Sequence, residues 1–266
     1  MTKLGIIGAG AMGQAIAKGL AAAGLYGSKE IALFDLRKEV LDALKAHEFS
    51  TSETLDHLVS DIVADGVLLI AVKPQNIDDL LKEIRQLRKD VIIVSICAGT
   101  KITKFEEFFP ENPIIRVMPN TPAQIAKGAS VLAPNSKCSS EQVESIRRIF
   151  SSLGLAIVLD EDKLDAVTAL SGSGPAYAFL LIEAMGDAGM KLGLDEASSR
   201  MLARETVYGA ACLVVESGKT ARELRAQVSS PNGTTQAAIE SFEANNFKDI
   251  VYQALKAACD RSKELG

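Results

Sequence analysis

The N-terminal stretch Ile6-Ile7-Gly8-Ala9-Gly10-Ala11-Met12-Gly13 decides the fold of the first half of the chain. A short apolar run, Leu4–Gly8, leads into it, and a helical pattern follows it. A G-x-G-x-x-G sequence between a strand and a helix is typical of a dinucleotide-binding turn. Its first glycine makes the turn, its second lets the backbone approach a pyrophosphate, and its third allows close helix packing. We therefore predict that residues 8–13 bind a dinucleotide at a helix N-terminus, with a purely structural turn as the alternative.

Outward from this motif, short apolar runs alternate with helical patterns as far as residue 160. The predicted strands are Leu4–Gly8, Ile31–Phe34, Val67–Val72, Val91–Ile96, Ile114–Met118, Ser130–Ala133 and Leu155–Leu159. This alternation predicts an α/β fold with a doubly wound, mostly parallel sheet. Beyond residue 160 we find only helical segments, near 162–170, 175–192, 195–217, 220–227, 235–244 and 247–265. We predict a Rossmann-type domain over residues 1–160 and an all-α domain over residues 161–266.

The composition argues against several classes of function. The 266 residues include 29 Lys and Arg against 34 Asp and Glu, and no basic cluster suits nucleic acid. The two histidines, His47 and His57, and four scattered cysteines offer little material for a metal site or a Ser/His/Asp triad. The thiols fit a reducing cytoplasm, and no targeting signal or unbroken membrane-length apolar run is found. We expect a cytoplasmic protein with a small-molecule partner, no metal, no nucleic acid and no membrane.

The end of the second predicted strand bears on the choice of dinucleotide. Asp35 lies 22 residues beyond Gly13. A carboxylate there accepts hydrogen bonds from the adenosine ribose hydroxyls and repels a 2′-phosphate, which favours NADH. Arg37 and Lys38 argue for NADPH, because a cation beside that site can hold the phosphate. We predict NADH preference with some use of NADPH; in the alternative, Asp35 only caps the next helix.

Three further strand ends fall at the carboxyl edge of the sheet, where open α/β folds bind ligands. They are Ala71-Val72-Lys73-Pro74, Cys97-Ala98-Gly99 and Met118-Pro119-Asn120-Thr121-Pro122. Lys73 either faces the cofactor or lies in solvent at the strand end. Asn120 offers a directed amide to a ligand, although a structural role is an equal alternative.

The helical half contains two glycine- and proline-rich loops and one uncharged helix. Ser171–Tyr177 and Ser229–Thr235 each lead into a helix whose first amides can hold an anion, or each is only a well-capped turn. The segment Thr206–Val215 has no charged residue, so it should be buried nearly all round. Either the other helices or a second subunit covers it, and we favour a homo-oligomer.

Taken together, these motifs resemble the pyrroline-5-carboxylate reductase family. The resemblance covers essentially the whole chain, with the glycine motif followed in order by 71–74, 116–122, 169–177 and 228–235. It implies a Rossmann domain followed by an all-helical dimerisation domain. It also implies NAD(P)H-dependent reduction of the cyclic imine 1-pyrroline-5-carboxylate to L-proline, the last step of proline biosynthesis, by hydride transfer to C5. Homodimers that often assemble into a decamer are implied as well.

The resemblance also implies roles for single residues, carried over by position. The backbone amides of Gly233 and Thr234 hold the substrate carboxylate, and the Thr235 hydroxyl, the catalytic group, contacts the ring nitrogen. Ala98 and Asn120 lie near the nicotinamide. The substrate is expected between the loops at the carboxyl edge of the sheet and the helical loops.

Two positions depart from the family pattern. Many relatives have Gly-Gly in place of Asn232-Gly233, and many have Ser or Asn-Arg, suited to NADPH, in place of Asp35. The nearest rival function is that of a β-hydroxyacid dehydrogenase-like oxidoreductase, but its typical catalytic lysine is replaced here by Ala178. A non-catalytic dinucleotide sensor of the same fold is the second alternative.

Overall fold

A computed structural model of the chain, which describes residues 1–84 and 87–266, divides into two compact units. The first unit comprises residues 1–172 and 258–266, and the second comprises residues 173–257. The first unit extends beyond its last strand because Leu164 and Ala169 are buried. Glu161 is also bonded to the first unit, because it accepts a hydrogen bond of 2.7 Å from the Ile102 amide. A domain division at residue 160 stays a prediction.

The first unit contains an eight-stranded sheet with the order β3-β2-β1-β4-β5-β6-β7-β8. Neighbouring strands are parallel except β6 and β7, which are antiparallel. The strands are β1 (Thr2–Ile7), β2 (Ile31–Phe34), β3 (Ser50–Thr51), β4 (Ile62–Ile70), β5 (Ile92–Ser95), β6 (Ile114–Met118), β7 (Gly128–Pro134) and β8 (Gly154–Val158). The prediction of a mostly parallel α/β sheet is confirmed.

Helices cover both faces of the sheet, since successive residues of one strand enter two different cores. In β5, Ile92 and Val94 pack in one core and Ile93 in the other. The helices of this unit are α1 (Ala11–Ala22), α2 (Lys38–Lys45), α3 (Leu55–Ser60), α4 (Ile77–Glu83), α5 (Ile102–Glu106), α6 (Ser140–Ser151) and α7 (Leu164–Val167). This doubly wound arrangement aligns the strand-end turns along the carboxyl edge of the parallel strands.

The predicted strands are found with small shifts at their ends. β2 and β6 match the predicted bounds. β4 starts at Ile62, ahead of the predicted Val67, and its pairing with β1 is irregular between these two residues. β3 was not predicted, because two residues are too short to show a periodic pattern.

The described residues of the second unit form helices joined by loops, without a strand. Its helices are α8 (Gly174–Lys191), α9 (Glu196–Ser217), α10 (Ala221–Gln227), α11 (Thr234–Ala244) and most of α12 (Phe247–Leu265), whose end belongs to the first unit. α8 and α9 pack closely, and the Ser199 hydroxyl donates to the Gly186 carbonyl at 2.6 Å. Within the part of the chain that the structure describes, no helix combines the length and apolar character needed to span a bilayer.

The uncharged segment Thr206–Val215 lies within α9 and is largely exposed. Tyr208 is 63% exposed, Leu213 51% and Val215 81%. The alternative of a central helix covered by the other helices of the same chain is therefore wrong. An apolar surface of this kind is left for another subunit to cover.

Candidate active site

The first and third glycines of the motif shape the turn between β1 and α1. Gly8 has a φ of +98°, and its amide donates to the Phe34 carbonyl at 2.8 Å. A Cβ on Gly8 would lie 2.6 Å from the Ala71 carbonyl oxygen, and one on Gly13 would collide with the Gly8 carbonyl. Both positions therefore require glycine for the turn and for the packing of α1.

The second glycine, Gly10, has no such requirement within the chain. Its φ of −72° is ordinary for any residue, and an added Cβ would meet no atom within 4 Å. Gly10 is the N-cap of α1, whose first amides, those of Ala11, Met12 and Gly13, have no partner inside the helix. Open space beside free amides at a helix N-terminus fits a pyrophosphate.

Asp35, at the end of β2, is joined both to this turn and to Arg37. Its Oδ2 accepts a hydrogen bond of 2.8 Å from the Ala9 amide. The Arg37 guanidinium donates to both carboxylate oxygens at 2.9 Å, and the Arg37 amide donates to Oδ1 at 3.0 Å. Arg37 holds the pKa of Asp35 below its ordinary value. The side chain of Asp35 is 10% exposed and that of Arg37 55%, so the pair has a buried acidic side and an open basic side.

The ends of β4 and β5 lie beside the glycine turn. The Ala71 amide donates to the Ile7 carbonyl at 2.8 Å. The Val72 carbonyl accepts a hydrogen bond of 3.3 Å from the Cys97 thiol, whose pKa is raised by burial. At this edge of the sheet, residues 71–72 and Ala98 are half-buried, whereas Lys73 and Pro74 are exposed.

Asn120, after β6, is engaged by the protein itself. Its Oδ1 accepts from the Ala129 amide at 2.8 Å, and its Nδ2 donates to the Ser171 carbonyl at 3.2 Å. The side chain joins the start of β7 to the π-helical turn Thr168–Gly172. Sequence reasoning left open a ligand role and a structural role, and these bonds favour the structural one for the side chain.

The loop before α11 forms a helix N-terminus with free amides in its first turn. Gly233 is the N-cap, and its own amide donates to the Ser230 carbonyl at 3.1 Å. The amides of Thr234 and Thr235 stand in the first turn, where no helical partner exists. Asn232 has a φ of +58°, a left-handed conformation that glycine and asparagine tolerate.

One buried ion pair was not singled out from the sequence. The Arg116 guanidinium, in β6, donates to Glu161 at 3.0 Å, and its side chain is only 6% exposed. Glu161 also accepts from the amide of Ile102, at the start of α5. A lone arginine within the apolar strand Ile114–Met118 was the available signal, but its partner lies far along the chain.

The doubly wound sheet and its open glycine turn define a dinucleotide-binding enzyme of the Rossmann class. Residues 3–99 match a family described as NADP oxidoreductase, coenzyme F420-dependent. Residues 161–265 match a family described as pyrroline-5-carboxylate reductase dimerisation. The chain belongs to the pyrroline-5-carboxylate reductase family. With the exposed surface of α9, the second match indicates an oligomer.

Full-length relatives support this assignment. The chain is 41% identical to the pyrroline-5-carboxylate reductase of Pseudomonas aeruginosa, covering 99% of this chain and 96% of the relative. It is 38% identical to that of Arabidopsis thaliana, over 99% and 95%. Among solved structures, the Coxiella burnetii reductase has a TM-score of 0.90 at 33% identity, covering 100% of this chain and 98% of that one. The Plasmodium falciparum enzyme with NADP bound has a TM-score of 0.88 at 33% identity, with the same coverage.

Proposed function

We propose that this chain catalyses the NAD(P)H-dependent reduction of 1-pyrroline-5-carboxylate to L-proline, the last step of proline biosynthesis. The observation that carries the proposal is the full-length relation to reductases of this name, at 41% identity over 99% of the chain for one of them. The local geometry supports it, because the open Gly10 turn suits a dinucleotide and the N-terminus of α11 suits a carboxylate.

The first unit would bind the dinucleotide. The residues assigned to this role are Gly8, Ala9, Gly10, Ala11, Met12, Gly13, Asp35, Ala71, Val72, Lys73, Pro74, Ala98 and Asn120. The amides that open α1 hold the pyrophosphate, and Asp35 faces the adenosine ribose. Ala98 and Asn120 lie on the nicotinamide side, where Asn120 contributes through its backbone because its side chain is already engaged.

The second unit would bind the substrate at Gly233, Thr234 and Thr235. The amides of Gly233 and Thr234 hold the carboxylate, and Gly233 contributes less because its amide already donates to the Ser230 carbonyl. The Thr235 hydroxyl donates or relays a hydrogen bond to the ring nitrogen as the imine becomes an amine.

The chemistry asks little of acid–base side chains. The reduced nicotinamide supplies the hydride to C5. A cyclic imine is a poor acceptor until it is protonated, and the iminium forms in solution, so the protein mainly selects, orients and desolvates it. Because the cofactor supplies the hydride and the substrate arrives protonated, the assigned active site needs no histidine.

For the cofactor, we propose a preference for NADH with some use of NADPH. The nearly buried carboxylate of Asp35 would oppose a 2′-phosphate. Arg37 is the cation nearest to that carboxylate, but its charge is compensated by the pair with Asp35. NADPH would have to compete with this pair for the guanidinium.

We further propose a homodimer formed through the helical unit, with dimers assembled into a decamer as the family resemblance implies. The exposed apolar residues of α9 support the dimer, and light scattering after size-exclusion chromatography measures the assembly. The four free cysteines suit a reducing cytoplasm, the proposed location.

The deciding experiment is steady-state oxidation of NADH and of NADPH by the purified chain on addition of 1-pyrroline-5-carboxylate. We expect oxidation that depends on the imine, with L-proline as the product and the higher kcat/KM for NADH. Binding of NADH without any oxidation would replace the proposal with a sensor role. Oxidation supported by a β-keto acid substrate but not by the imine would favour the dehydrogenase alternative.

A further inference from the structure

The turn after β5 carries Ala98 and is held in an unusual conformation by the chain around it. Gly99 has a φ of +75° and is buried. On one side, the Cys97 thiol donates to the Val72 carbonyl at 3.3 Å. After the turn, the Ile102 amide donates to Glu161 at 2.7 Å. The backbone of Ala98 is therefore fixed at both of its flanks.

A third support comes from the end of α12, which belongs to the same compact unit. A Cβ on Gly99 would lie 3.1 Å from the Leu265 carbonyl oxygen, and a Cβ on Gly266 would collide with the Gly99 carbonyl. The two backbones are thus in direct contact, with no room for a side chain between them.

One hydrogen bond anchors this end of α12. The Ser262 hydroxyl donates to Asp165 Oδ1, in α7, at 2.7 Å, although the two residues are 97 apart in sequence. Ser262 is 5% exposed in a helix that is otherwise mostly exposed. Because the Ser262 hydroxyl is buried against the Asp165 carboxylate, it fixes the helix end both in its rotation about the helix axis and in its position along that axis.

We propose that Ser262 and Asp165 are positioning residues for the cofactor. Their hydrogen bond seats residues 265–266 on the Gly99 turn, and that contact fixes the backbone of Ala98 beside the nicotinamide. The inference rests on the proposed function, which assigns Ala98 to the nicotinamide side. It adds a role for the last turn of α12, which carries no proposed contact with the cofactor or the substrate.

The test uses the full-length protein and four variants. Ser262→Ala and Asp165→Ala each remove the bond, whereas Asp165→Asn keeps an acceptor oxygen for Ser262. Ser152→Ala is the matched control, because the Ser152 hydroxyl donates to the Ile149 carbonyl at the same distance of 2.7 Å, in the same unit but at the end of α6. The measurements are the Kd of NADH by fluorescence, the KM of each substrate, kcat and the Tm.

We expect Ser262→Ala and Asp165→Ala to raise the Kd and KM for NADH roughly three- to tenfold, below the 10²-fold loss that a misplacement of about 1 Å can cause. The KM for the imine should stay within about twofold of wild type, as should every constant of Asp165→Asn and Ser152→Ala. If Ser262→Ala does not fold, Asp165→Ala gives the same comparison.

Two results would overturn the inference. One is a folded Ser262→Ala or Asp165→Ala protein whose NADH Kd is unchanged. The other is an equal rise in the NADH Kd of the Ser152→Ala protein, which would show that the effect comes from a general loss of stability. If wild type binds NADH but does not reduce the imine, the proposed function fails, and the comparison of NADH Kd values still decides on the positioning role.

Discussion

Replacing Gly10 with alanine separates binding of the dinucleotide from folding. The new methyl group would enter space with no protein atom within 4 Å, at a φ of −72° that alanine adopts freely. Alanine is a poorer N-cap than glycine by about 0.5–1 kcal/mol, and the stiffer unfolded chain offsets about 0.4–1 kcal/mol. The free energy of unfolding should therefore change by less than about 1 kcal/mol.

In the complex, the same methyl would occupy the space through which the pyrophosphate approaches the α1 amides. Overpacking of this kind costs about 1–3 kcal/mol. At about 1.4 kcal/mol for each tenfold change, the Kd of NADH should rise about 5- to 140-fold. Fluorescence titration with NADH measures the Kd, and thermal unfolding monitored by circular dichroism measures the stability.

Gly27→Ala is the matched control, because Gly27 is also an extended N-cap and its added Cβ would make only ordinary contacts with Glu30. It should leave the Kd of NADH unchanged. A stable Gly10→Ala protein that binds NADH within twofold of wild type would refute the assignment of the open space to the pyrophosphate.

Three further predictions test the turn, the cofactor choice and the chemistry. Gly8→Ala should lower the free energy of unfolding by about 2–4 kcal/mol, because the φ of Gly8 is +98° and the methyl would lie 2.6 Å from the Ala71 carbonyl oxygen. Urea titration measures this loss, and a value below about 1 kcal/mol would contradict the prediction. Asp35→Ser should raise the ratio of kcat/KM for NADPH over NADH by roughly tenfold, since it removes the carboxylate and frees Arg37, and an unchanged ratio would count against the NADH assignment. Thr235→Ala should lower kcat roughly 10²-fold, while His47→Ala and His57→Ala stay near wild type; a normal rate in Thr235→Ala would remove that residue from its role.

The sheet could be predicted because its signals are local. Most strands contain an apolar run bounded by turn residues, and β2 and β6 were found with the predicted bounds. The conformation of the glycine motif could be predicted for the same reason, because a side chain at Gly8 or Gly13 would have no room. In these places propensity and tertiary packing favour the same structure.

The partners of polar side chains could not be predicted in the same way. Asn120 bonds to Ser171, 51 residues away, and Arg116 bonds to Glu161, 45 residues away. Asp35 was expected to face a ribose, but its bonds to Arg37 depend on a rotamer that no sequence pattern specifies. Lack of charge in Thr206–Val215 predicted burial without identifying the covering surface, which no other described part of the chain supplies.

Because the apolar face of α9 is exposed in a single chain, the amount of working enzyme depends on the concentration of chains. Where subunits must meet to bury such a surface, folding and association form one equilibrium. Dilution then lowers the concentration of assembled protein more than in proportion, and the melting temperature rises with protein concentration. A substitution in α9 that touches no ligand would thus reduce flux by depleting assembled protein, without any change in the turnover of the molecules that remain.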